Sequence, residues 1–149
     1  MPMSQLLFSF SGRLNRKPYW LTTLCIVLVL VVVMILVFAM GGAGLATGDF
    51  SGLGALLIII VLAYIPILWI GLAISAKRLH DRNKSAWWLV LFYLVPAILQ
   101  GIGEQLGTGG LILTLIGFGI SIWALVEIGF LRGTVGPNQY GPDPLSGQA

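Results

Sequence analysis

The chain has 149 residues, of which 58% are apolar and 9% charged, with a net charge of +3 and a mean hydropathy of +0.99. A soluble domain carries about 25% charged residues, so a chain this poor in charge is built for lipid. The basic surplus does not point to nucleic acid, because the charges stand in short blocks between long apolar runs and not along a surface strip.

In chain order, residues 3–10 come first. Leu6, Leu7, Phe8 and Phe10 fit a short interfacial segment resting on the membrane. A basic block follows (Arg13, Arg16, Lys17), then the first apolar run, 19–40, without a charge. This run exceeds the ~7–15 apolar residues of a secretory signal, so it is expected to stay as a span. Cys25 lies inside it. As the only cysteine it can form no internal disulfide, and with one histidine there is no Cys/His metal constellation. Cys25 is expected as a small buried apolar residue.

The second run is 53–76, the third 87–102 and the fourth 111–131, the last broken only by Glu127. A hydrocarbon core of about 30 Å needs about 20 helical residues. The first, second and fourth runs meet that length. The third covers only about 24 Å at 1.5 Å per residue and crosses with local bilayer thinning or cover from its neighbours, a re-entrant hairpin being the alternative. Continuous runs of this kind are helices and not barrel strands, because strands would be shorter and would alternate in polarity. Pro66 and Pro96 are expected to kink the second and third spans. The patterns Gly71-x-x-x-Ser75 and Gly117-x-x-x-Ser121 allow close helix contact.

All eight basic residues fall before the first span, between the second and third (Lys77, Arg78, Arg82, Lys84), or after the fourth (Arg132). The connections 41–52 and 103–110 carry only Asp49 and Glu104. The positive-inside rule places the basic segments in the cytoplasm. The expected fold is therefore all-α: one polytopic membrane domain over 1–149, with four transmembrane helices and both termini cytoplasmic. Tyr19, Trp20, Trp87 and Trp88 flank the cytoplasmic edge as headgroup-level anchors. The Pro- and Gly-rich tail, 133–149, excludes a long helix and favours a fixed turn around Gly136-Pro137-Asn138.

Three strings thus share one expected face. They are Ser11-Gly12-Arg13 with Arg16 and Tyr19-Trp20; Arg78-Leu79-His80-Asp81 with Trp87-Trp88; and Gly136-Pro137-Asn138 with Tyr140-Gly141-Pro142-Asp143-Pro144. In order and placement they resemble the domain-of-unknown-function 805 family of small bacterial inner-membrane proteins. The resemblance covers nearly the whole chain. It implies a multi-pass protein of the bacterial inner membrane and no accepted activity. Lys17-Pro18 departs from the family, where an acidic residue often follows the basic one.

The residues able to carry chemistry form an expected polar cytoplasmic cluster of Arg13, Arg16, Arg78, His80, Asp81 and Glu127. His80 titrates near neutrality, but as a polar cap it would serve the end of the second span. Lys77 and Asp81, four apart, would share a face. Glu127, near the edge of the last span, needs a partner, with Arg13, Arg16, Arg78 and Arg132 the candidates. No catalytic constellation is present, and no cofactor or metal is expected. The function expected is that of a non-enzymatic membrane module acting through its cytoplasmic face; the alternative is a small oligomeric transporter or channel. Expected partners are the bilayer, anionic lipid headgroups, and a second copy or another membrane protein, with no nucleic acid.

Overall fold

A computed structural model describes residues 2–49 and 51–146. The last three residues of the expected tail, 147–149, lie outside them. Among the described residues every named element is helical. These are α1 (Met3–Phe8), α2 (Arg16–Thr47), α3 (Leu53–Asp81), α4 (Val95–Gln105) and α5 (Leu111–Leu125), with π-helical turns at Val90–Leu94 and Val126–Phe130 and a 3₁₀ turn at Gly107–Gly110. The chain forms two compact units. One holds the residues up to Trp20 together with those from Leu72 onward, and the other is Leu21–Gly71.

Three helical stretches are long and apolar enough to cross a membrane: Arg16–Gly42, Gly54–Asp81 and Gly107–Phe130, with mean hydropathies of 3.3, 2.8 and 2.2. Val90–Gln105 is a shorter apolar helix. The apolar residues of α2 surround it on all sides, as lipid requires of a helix that must satisfy its own backbone. Cys25 is exposed on α2 and not buried, because the helix meets its surroundings on most of its circumference.

α2 also runs further than expected. The sequence suggests a plain connection over 41–52, yet the helix continues through Gly41 and Gly42 to Thr47. Each glycine in an apolar medium still gains from its i→i−4 bond. The stop comes at Gly48, whose φ of 71° is the left-handed conformation typical just past a helix end. α3 continues past Pro66. Before Pro96, at the start of α4, the chain forms a π turn in which the Val95 amide reaches back to the Val90 carbonyl. A proline that cannot donate disturbs the ordinary ladder there.

In the first unit α4 and α5 pack through their glycines. A Cβ on Gly117 would lie 3.1 Å from the Pro96 carbonyl oxygen, and one on Gly103 would lie 2.8 Å from that of Gly110. The core of this unit is the end of α3. Ala73, Ile74, Ser75, Ala76, Lys77, Arg78, Leu79, His80 and Asp81 are all buried, alongside Leu14, Tyr19, Phe92, Ala124 and Ile128. Five of those nine α3 residues are polar or charged, and a core of that composition persists only if each group finds a partner.

Candidate functional site

The site grows from helix ends. A helix leaves its last carbonyls unsatisfied, which is costly near lipid. At the end of the last span the carbonyls of five consecutive residues accept from side chains. Ile128 accepts from Arg78 Nε at 2.8 Å, Gly129 from Trp20 Nε1 at 3.0 Å and Phe130 from Arg16 Nη1 at 3.1 Å. Leu131 accepts from Arg78 Nη2 at 2.6 Å and Arg132 from Arg82 Nη1 at 2.8 Å. Arg78 is fully buried and bridges two of these carbonyls with its planar fork, a geometry lysine could not supply.

α3 ends differently. Asn83 adopts a left-handed φ of 58°, its amide bonds His80 O at 2.9 Å, and the Lys84 amide bonds Leu79 O at 2.9 Å. This is a Schellman stop with asparagine in the position usually taken by glycine. The remaining need of α3 is met by the tail. The Thr134 amide and hydroxyl donate to Asp81 O at 2.8 and 3.0 Å, and Asn138 Nδ2 donates to His80 O at 2.9 Å.

Asp81 binds the three segments together. Its Oδ1 accepts from Arg13 Nε at 3.1 Å and its Oδ2 from Arg78 Nη1 at 2.6 Å. Arg13 is buried as well, and its outer nitrogens donate to Thr134 O at 2.6 Å, Gly136 O at 2.6 Å and Gly141 O at 3.3 Å. A Cβ on Gly133 would sit 2.8 Å from Asp81 Oδ1, so the tail approaches the carboxylate as closely as glycine permits. The tail itself closes through the Asn138–Gly141 bridge, with the turn at Gly136 (φ 78°). Asp143 accepts from the Leu145 and Gly136 amides at 2.9 Å each. These two amides, with Leu145 contributing most, hold its carboxyl below the usual aspartate range.

His80 stacks on Tyr140, with centroids 3.9 Å apart and planes within 5°. Its Nδ1 lies 3.2 Å from the Gly12 carbonyl, which can only accept, so the proton sits on Nδ1. Lys77 does not pair with Asp81. Its Nζ donates to Gln5 O at 2.8 Å and to Leu6 O, a cation at the carbonyl end of α1. Asp81 instead takes Arg78, three residues back, because the neighbouring buried guanidinium is the group needing a counter-charge.

Glu127 lies in the final π turn and is buried. Its partners are Arg82 at 2.8 Å and Lys84 at 2.9 Å. None of the four cations expected for it from the sequence takes that role. Arg13 and Arg78 are engaged by Asp81, Arg16 reaches Phe130, and Arg132 is exposed. The Schellman turn explains the choice, because it brings the chain back after Arg82 so that both side chains reach the carboxylate. Lys84 also lies 4.3 Å from the centroid of Trp88. The expected anchors divide. Trp87 is 79% exposed, Trp20 is a hydrogen-bond donor at the rim, Trp88 packs on Phe92 and Trp123, and Tyr19 is buried.

The structure thus joins Arg13, Arg78 and Asp81 directly, engages Arg16 and His80 with nearby backbone carbonyls, and gives Glu127 two cations of its own. Arg82, Lys84 and Thr134 were not singled out as site residues by sequence; Lys77 was read there with Asp81, and Asn138 only as part of the tail turn. Their signal is their place at helix ends, where orphan carbonyls must be met.

The profile for proteins of unknown function termed DUF805 matches residues 7–142. The chain belongs to the DUF805 family. The match takes in the first two strings and the third as far as Pro142. The chain is 31% identical to the uncharacterized protein YiiR of Escherichia coli K12, covering 96% of this chain and 90% of the relative. It is 33% identical to the inner membrane protein YhaH of the same organism (91% and 86% covered) and 30% identical to the inner membrane protein YhaI (93% and 87%). No solved structure gives a significant match. With these DUF805 relatives and three helices of crossing length, the chain is a multi-pass protein of the bacterial inner membrane.

Proposed function

We propose that the chain crosses the membrane four times with both termini in the cytoplasm, and that it is a non-enzymatic module working through its cytoplasmic face. The observation that carries this is the use made of the charged residues. Arg13 and Arg78 are buried and donate to Asp81 and to main-chain carbonyls, and Glu127 is neutralised by two cations. Groups so engaged serve architecture, whereas a catalytic or transporting group must meet substrate or water.

Topology has its own support. Arg13, Asp81 and Thr134 are bonded directly, so all three lie on one side of the membrane. The path from Asp81 to Thr134 therefore crosses an even number of times. Gly107–Phe130 is long enough to cross, which supports a crossing by Val90–Gln105 as well. The basic residues then orient this side inward. Exposed Arg16, Lys17 and Arg132 would draw it to anionic headgroups, at about 1 kcal/mol per cation near the surface.

A liposome flux assay on purified protein separates this role from transport. The expected outcome is no ion or solute flux above that of empty vesicles. Flux that Glu127→Gln abolishes would establish a transporter instead.

A further inference from the structure

Arg13 and Arg78 are buried, whereas Arg16 is exposed. Its Nη1 donates to Phe130 O at 3.1 Å, and its other side-chain N–H groups have no partner among the described residues. The carbonyl bond holds the guanidinium at the end of the last span with donors to spare. A planar fork of this kind matches the oxygens of a phosphate group.

The charges nearby favour an anion. The ion pairs among the described residues use Arg13, Arg78, Arg82 and Lys84. Arg16, Lys17 and Arg132 take part in none of these and are all exposed. Arg16 and Arg132 border one small chamber, but Asp81 and Asp143 border it too, so an anion inside it would meet two carboxylates. The ligand therefore belongs on the exposed side of Arg16 and not in the chamber. Asp81 is already held by Arg13 and Arg78. With those two guanidiniums counted beside Arg16 and Arg132, and both carboxylates set against them, a surplus of two positive charges remains, to which Lys17 adds. That surplus attracts a net anion and repels the ammonium of a zwitterionic headgroup.

The apolar neighbours say which kind of anion. Trp20 stands four residues after Arg16, on the same face of α2. Its ring lies 5.4 Å from that of Phe130, and Phe130 is 56% exposed. A soluble phosphate would leave this aromatic pair uncovered, whereas an acyl chain covers it.

We propose that Arg16, beside Trp20 and Phe130, binds the phosphodiester of a net-anionic phospholipid. The spare N–H groups of Arg16 donate to the phosphate oxygens, and the acyl chains lie on the aromatic pair. The inference rests on the proposed working face at the basic end. It narrows a general attraction to anionic headgroups to a site at one residue.

The test is native mass spectrometry of the full-length protein offered equal amounts of phosphatidylglycerol and phosphatidylcholine with the same acyl chains. The expected result is retained phosphatidylglycerol, preferred by about tenfold, the worth of a charge-assisted hydrogen bond. Arg16→Gln should remove the preference. So should Arg16→Lys, which keeps the charge and loses the fork. Lys17→Gln removes an equal charge one residue away and should leave most of the preference in place. Thermal unfolding shows whether the Arg16 variants fold; the wild-type and Lys17→Gln results decide the matter even where they do not. Equal retention of the two lipids by the wild type would overturn the proposal. So would a preference that survives in folded Arg16→Lys, or one that Lys17→Gln removes, since either outcome means diffuse attraction and no site. Displacement of the lipid by glycerol phosphate at equal concentration would also overturn it, by making the ligand a soluble anion. Flux into liposomes would refute the module role and leave the dependence on Arg16 standing, so the two failures are distinguishable.

Discussion

Asp81 and Glu127 each serve two cations, but in different surroundings. Arg13 and Arg78 at Asp81 have side chains exposed by 1% and 0%. Arg82 and Lys84 at Glu127 are exposed by 23% and 26%. Removing the charge of Asp81 leaves two guanidinium groups buried without a counter-ion, which costs about 3–5 kcal/mol. Water can reach the partners of Glu127, so its loss costs about 1 kcal/mol. Thermal unfolding in detergent should therefore show Asp81→Asn far more damaging than Glu127→Gln. Asp143 supplies a pH-dependent element. Its folded pKa lies below the ordinary value, so its contribution is present above the unfolded pKa and is lost as pH falls through the folded one. Amide-exchange protection at Gly136 and Leu145 should decline over that acidic window and stay constant above it. Asp81 and Glu127 were both visible in the sequence as acidic residues beside spans. Their partners were not: Asp81 takes the buried Arg78 and Arg13, and the choice at Glu127 depends on a left-handed Asn83 that no spacing rule announces.

At the scale of elements, the α4–α5 contact depends on backbone approach. A Cβ on Gly103 meets the Gly110 carbonyl, whereas one on Gly101 meets nothing within 4 Å. Backbone cannot yield as a flexible side chain can. Gly103→Ala should cost about 1–3 kcal/mol of thermal stability, while Gly101→Ala should be neutral or stabilising by up to about 1 kcal/mol. Of the two small-residue patterns read from the sequence, Gly117 does lie against α4, but the tighter Gly103–Gly110 approach falls in what reads as a plain connection. The helices were legible from apolar runs. Their ends were less so. α2 passes through glycines that would end a helix in water, and the π turns at Val90–Leu94 and Val126–Phe130 leave no mark in hydropathy.

At the scale of the whole molecule, three strings far apart in sequence close on one another because each carries what the others lack. The helix ends supply orphan carbonyls, Arg13, Arg16 and the α3 end supply guanidinium donors, and the tail supplies Thr134 and Asn138. The sequence placed these strings at one face by charge alone. It could not show that the arginines act mainly as caps, since carbonyls have no sequence signature. In the proposed topology the short Val90–Gln105 helix takes the chain across the membrane before Gly107–Phe130 returns it. Topology reporters fused after Lys84 and after Gly107 test that crossing most directly. The account predicts an inside signal after Lys84 and an outside signal after Gly107; an inside signal at both would contradict it.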